Sequence, residues 1–162
     1  QGAFVSPGRY SVRVEAGTAR RTQVVSVSGD PMLDIPQEQA MTRELFLLNL
    51  ATNHKEAWQS AEFAGSLLKD LKRHKENLES GTGTHTRVST QIDTAQAREK
   101  RIRAIANELL RLSGAFNGSG VRQGSMYAPT NTHIMRRDQL LERLKGERSG
   151  IEELEAWRRS LK

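Results

Sequence analysis

A chain of 162 residues without cysteine can hold one compact domain or an elongated bundle with a small appendage, and it excludes disulfides and thiolate metal sites without fixing the compartment. Its 25 basic and 19 acidic residues leave a net charge of +6, which permits an anionic partner but does not choose among nucleic acid, lipid and acidic protein. Hydrophobic residues at 36% against charged residues at 27% suit long helices with one buried stripe, and no apolar run reaches the ~20 residues that cross a bilayer.

The chain opens on an alternating segment. In "SPGRYSVRVEAGTARRTQVVSVSGD" Tyr10, Val12 and Val14 share one side of an extended strand, with Ser11, Arg13 and Glu15 on the other. Gly17 marks a turn, and the return strand carries Val25 and Val27 in alternation with Val24 opposed. Pro7 and Gly8 punctuate the entry, and "SGDP" closes the segment. This predicts a β-hairpin within residues 1–30. A two-stranded hairpin is marginal in water, so further strands, the helices or another protein must complete it.

From Pro36, placed at a first helical position, the period becomes helical. Met41, Leu45, Leu48, Ala51, Trp58, Ala61, Leu68, Leu71 and Leu78 form the expected buried stripe of a helix over 36–79, about 60 Å long at ~1.5 Å per residue. "ESGTGTHT" reverses the chain. A second helix over 86–113 carries Val88, Ile92, Ala95, Ile102, Ile105 and Leu109, and the stripe continues through Leu112 to Phe116. Glu99 interrupts it and is placed at the stripe's edge, because an unpaired buried carboxylate is costly. The glycine-rich segment 113–130 reads as the longest loop, with Thr130 as the cap of a third helix over 130–162. Its stripe is Ile134, Leu141, Leu144, Ile151, Leu154, Trp157 and Leu161. The expected fold is mainly α: an up-down-up bundle of three long helices over 31–162, preceded by a β-hairpin whose sheet is incomplete.

No stretch names a chemistry. His54, His74, His85 and His133 lack metal-ligand spacing, there is no "GxSxG" elbow, and "FNGSGVRQGS" has neither a following lysine and hydroxyl pair nor a strand leading into it. Neither a catalytic residue, a cofactor nor a metal is assigned. The basic runs "KDLKRHK" and "REKRIR" are interleaved with Asp70, Glu76 and Glu99, and Glu99 with Arg103 or Glu155 with Arg159 fits ordinary i, i+4 pairing. That pattern argues for solvated faces over a phosphate-gripping polycation. Trp58 and Trp157 are expected between helices, with interface anchoring as the sharper alternative, and Tyr127 is expected to pack at the bundle end.

The succession "PGRYSVRVEAGTARRTQVVSVSGDP", a long helix, "FNGSGVRQGSMYAPT" and a final helix resembles the C-terminal end of secreted bacterial β-propeller proteins of the sortilin and sialidase type. In that family the pattern corresponds to the last strands of an immunoglobulin-like domain followed by a helical tail. The resemblance covers nearly the whole chain, but the propeller and most of the sandwich are absent, so neither glycosidase nor sorting-receptor activity carries over. It implies a bacterial source and a periplasmic or extracellular setting. The expected function is that of a non-catalytic structural or assembly subunit in a larger exported complex. Its partner would be another protein or missing upstream chain that completes the sheet, a membrane-bound complex among the candidates; nucleic acid and small-molecule substrates are disfavoured. The candidate partner-binding residues are Tyr10, Val12, Val14, Val25, Val27, Trp58, Tyr127 and Trp157. Two alternatives stand beside this: a basic helical nucleic-acid-binding protein, and the tail of a propeller glycosidase-like protein whose chemistry lies elsewhere.

Overall fold

The structure is a computed structural model that describes residues 4–118 and 123–161. Residues 119–122 of the expected loop, and position 162 at the end of the expected third helix, lie outside the described residues. The chain forms strands β1 (Gly8–Ala16) and β2 (Ala19–Val27), then helices α1 (Gln37–Glu76), α2 (Gly83–Asn117) and α3 (Asn131–Arg159). It is a three-helix bundle with an N-terminal β-hairpin.

The strands pair antiparallel from Gly8 opposite Val27 to Ala16 opposite Ala19. Only Gly17 and Thr18 are left for the turn. Gly17 has φ +60° and Thr18 is not in positive φ, the pattern of a type II′ turn, which matches the twist of the flanking strands. This register puts Tyr10, Val12, Val14, Val25 and Val27 on one face, as the alternation predicts.

Helix ends follow local chemistry. Pro36 stands one position earlier than expected, as the N-cap of α1 with ψ 140°. The α1 C-terminus carries Arg73, His74 and Lys75, cations that complement its dipole. Helix α2 starts at Gly83, three residues before the expected position 86, because the Thr82 side chain accepts from the His85 N–H at 3.2 Å. It runs on to Asn117 and ends at Gly118, φ 71°. Thr130 caps α3, and its N–H donates to Nδ1 of the His133 ring at 3.2 Å.

Contacts along the helices establish the up-down-up course. Phe46 meets Phe116 and Trp58 meets Arg103, so α1 and α2 run antiparallel; Phe116 meets His133 and Arg101 meets Glu147, so α2 and α3 do too. Glu56 meets Arg148, further along both α1 and α3, which are parallel. The core holds Phe46, Leu47, Leu50, Leu67 and Leu71 of α1, Val88, Ile102, Ile105, Leu109 and Phe116 of α2, and Leu140, Leu144, Ile151 and Leu154 of α3. Ala57, Ala61, Ala64, Ala95 and Ala106 are fully buried, and these small side chains let α1 and α2 approach closely.

The expected stripe of α2 is the observed one. That of α1 is corrected in its first half: Met41, Leu45, Leu48 and Ala51 face outward and Phe46, Leu47 and Leu50 with Ala57 and Ala64 fill the core instead, whereas Ala61 and Leu71 are buried as expected. In α3 Leu140 takes the fully buried position expected of Leu141. No described helix is long and apolar enough to cross a membrane.

Candidate docking surface

The hairpin is joined to the bundle at its root. Ser6, buried immediately before β1, donates its N–H at 2.9 Å and its hydroxyl at 2.5 Å to one carboxylate oxygen of Glu44 in α1. The Tyr10 hydroxyl folds back to the Ser6 carbonyl at 2.6 Å. A small apolar pocket beside this joint is lined by Phe4, Val5, Leu33, Ile35 and Met126, with Arg43 at its wall.

The platform beneath the joint is tightly made. Arg43 is 97% buried, since only 3% of its surface is exposed, and it has no carboxylate within ion-pair distance among the described residues. Its Nε donates to the Ser125 carbonyl and its Nη2 to the Phe116 carbonyl, both at 2.8 Å, and Phe4 lies 6.0 Å beneath the guanidinium. Burial lowers the Arg43 pKa below the ordinary guanidinium value, and the negative end of the α2 dipole at Phe116 supplies the compensating field. Phe46, Phe116 and His133 stack edge to face around it, joining all three helices.

Beyond the root the strands leave the bundle: neither β1 nor β2 packs against a helix. Tyr10 and Val27 are half-buried, whereas Val12, Val14 and Val25 are 47%, 63% and 42% exposed. With Ala16, Ala19, Arg21 and Gln23 of the same face they line a shallow concave surface, whose edge is reached by Arg20 of the opposite face. Among the described residues neither outer edge of the two-stranded sheet is paired. The helices do not supply the surface that the sequence requires for this sheet.

The other candidates separate. Trp58 is not between helices: it is 43% exposed, with the Arg103 guanidinium 5.3 Å from its ring centroid. Arg103 is itself held by Glu99 at 2.6 Å, which explains the polar interruption of the α2 stripe. Trp157 is half-buried against the core. Tyr127 is 58% exposed, so the expectation that it packs is corrected, and it lies apart from the strand residues in sequence and element. The structure therefore gathers the five strand residues on one face and does not bring the aromatic candidates of the helices onto it. Sequence reasoning missed Arg43, whose signal was a lone cation among the apolar positions Phe46, Leu47 and Leu50 one turn on.

The histidines are dispersed, and the described residues contain no group of three or more histidine, aspartate or glutamate side chains arranged to hold a metal ion. The arginines of "REKRIR" are engaged by acids: Arg98 and Arg101 meet Glu147 at 2.9 and 2.5 Å, and Arg103 meets Glu99. Arg136 and Arg143 converge on Glu108, and Arg158 and Arg159 on Glu155. Comparison with known families, curated proteins and solved structures finds no match to this chain.

Proposed function

We propose that this chain is a non-catalytic assembly module of a larger exported complex, in which the bundle is a rigid holder and the hairpin docks into a partner's sheet. One observation carries the reading: an ordered hairpin whose apolar face, Val12, Val14 and Val25, is left uncovered by its own bundle. Covering those side chains removes apolar surface from water, and pairing an outer edge adds main-chain hydrogen bonds in the manner of strand addition. The resemblance to the closing strands of an immunoglobulin-like sandwich supports the same reading and supplies the exported setting. The ion pairing of the arginines in "REKRIR" and of those at the end of α3 weighs against a nucleic-acid interface, which needs unpaired cations for phosphates.

The chain has no cysteine, so a single introduced thiol is a site-specific probe. Val14→Cys and Val25→Cys, each carrying a short cross-linker, are expected to join a strand of the partner within the native assembly. Thr22→Cys on the opposite face is expected not to. Adducts from Thr22 or from the helices, with none from Val14 and Val25, would refute sheet docking. The intact mass of the protein isolated from its source separates a partner from preceding chain, 18.1 kDa marking a chain of this length.

A further inference from the structure

The two faces of the hairpin differ in how their charges are balanced. On the polar face Arg13 and Arg20 flank Glu15 at 3.1 and 3.3 Å, so two of that face's three arginines share a counter-charge, the exposed Arg9 being the third. Arg21 is the one charged residue that the register places on the apolar face, opposite Val14 and beside Gln23 and Ala19, while Arg20, which reaches the edge of that surface, is paired with Glu15. Among the described residues no carboxylate lies within ion-pair distance of it.

We propose that this face receives an acidic sheet of a different protein, one that sets a carboxylate against Arg21, and not a second copy of this chain. The inference rests on the sheet-docking reading and specifies its occupant. In the free protein Arg21 is solvated at no cost. A sheet laid over Val12, Val14 and Val25 strips water from its guanidinium, and a desolvated charge is tolerated only when paired and hydrogen-bonded. A planar guanidinium meets a carboxylate through two parallel bonds, so the demand is specific in geometry as well as in sign. A second copy cannot meet it. The strands carry four arginines against one glutamate, and that glutamate is on the far face, held between Arg13 and Arg20. Two such hairpins face to face would oppose like charges in the same desolvated patch, a juxtaposition that interfaces select against.

The probes are two short blocked strand peptides of alternating threonine and valine, one with a glutamate and one with a lysine in place of a central valine. Each is titrated against the full isotope-labelled chain at low salt. The glutamate peptide is expected to shift the amide signals of Val12, Val14, Arg21, Gln23 and Val25, and to bind at least tenfold more tightly than the lysine peptide. Arg21→Glu is expected to reverse the preference, and Arg9→Glu on the opposite face to leave it unchanged. Equal binding of the two peptides at this face would overturn the charge assignment while leaving sheet docking in place. Titrations that move no hairpin signal would overturn both. Sedimentation is expected to show a monomer at all concentrations, and self-association abolished by Val14→Lys would overturn the proposal in favour of a second copy.

Discussion

Arg43 near the start of α1 donates to the carbonyl oxygen of Phe116 in the last turn of α2, at 2.8 Å, across 73 residues of sequence. The same guanidinium holds Ser125, in the segment leading to α3, so one buried cation ties together the helix ends on which the hairpin stands. Removing it leaves a buried acceptor without its donor. Arg43→Ala is expected to cost about 2 kcal/mol in urea unfolding, the loss of charge-assisted bonds outweighing the relief of burying a charge. Arg43→Met, which keeps most of the packing, is expected to cost less. A variant as stable as the parent would show that the bonds barely exceed the desolvation they require.

Gly124 touches the same joint. A Cβ at this position would overlap the Phe116 carbonyl, a backbone atom that cannot step aside as a side chain can. Gly124→Ala is therefore expected to displace Ser125 from Arg43 and to destabilise by about 1 to 3 kcal/mol, the range typical of overpacked sites. Because both changes strike one contact, the double variant is expected to fall short of the sum by about 0.5 kcal/mol or more. Strict additivity would mean that Gly124 acts independently of the Arg43 clamp.

These two residues also mark what the sequence conceals. The stripe of α2 is legible because that helix has one apolar row of large side chains, from Val88 to Phe116, with the exposed Leu110 the one large aliphatic off it. Helix α1 has two: Met41, Leu45 and Leu48 on one side, and Phe46, Leu47 and Leu50 on the other. Periodicity finds both rows and cannot rank them. The decision is made by α2, which needs the small side chains Ala57, Ala61 and Ala64 for close approach and so buries their face. Trp58, one residue from Ala57, is turned outward by the same choice. The hairpin face is legible because strand alternation admits only two faces and one is apolar. Its isolation from the bundle is not legible, since it depends on where the chain leaves Ser6.

Two glycines in α3 separate propensity from packing. Nothing lies within 4 Å of a Cβ built at Gly146, so Gly146→Ala is expected to stabilise by about 0.5 to 1 kcal/mol through helix propensity and the unfolded chain's lost freedom. At Gly150 a Cβ would overlap the Arg98 guanidinium, which bonds Glu147 at 2.9 Å. Gly150→Ala must move that side chain and is expected to gain less than Gly146→Ala. Thermal unfolding of the two variants compares them directly, and an equal gain would show that the Arg98 position contributes nothing.

Acid should loosen the bundle through its bridged carboxylates. Hydrogen bonds from Arg158, then Arg159, with the charges of both, hold the Glu155 carboxyl at about 2 against the ordinary 4.5, with partial burial opposing them. At Glu147 burial pushes the carboxyl up, but the bonds and charges of Arg101 and Arg98 outweigh it and the pKa is lowered. A carboxyl depressed in the folded state adds stability that is fully present above the unfolded value and is lost as pH falls through the folded one. For Glu155 that window runs from about pH 4.5 down to about 2. The melting temperature is expected to fall across it, and Glu155→Gln to flatten part of the fall while lowering stability at pH 7. A Glu155→Gln profile parallel to the parent's would assign the acid sensitivity to other groups.

The hairpin face is expected to be silent in the isolated chain and decisive in the assembly. Val12 and Val14 touch no helix, so Val12→Thr and Val14→Thr remove little buried surface and are expected to change global stability by no more than about 0.5 kcal/mol. Amides on the outer edges of β1 and β2 have no partner in the two-stranded sheet and are expected to exchange with solvent far faster than those of Leu50 or Ile105 in the core. Within the native complex the same edge amides, or those flanking Val14 and Val25, are expected to become protected, and the threonine variants to weaken that protection. A loss of several kcal/mol from Val14→Thr in the isolated chain would instead mean that the face is already covered by the protein's own bundle, and the reason for seeking a partner there would be gone.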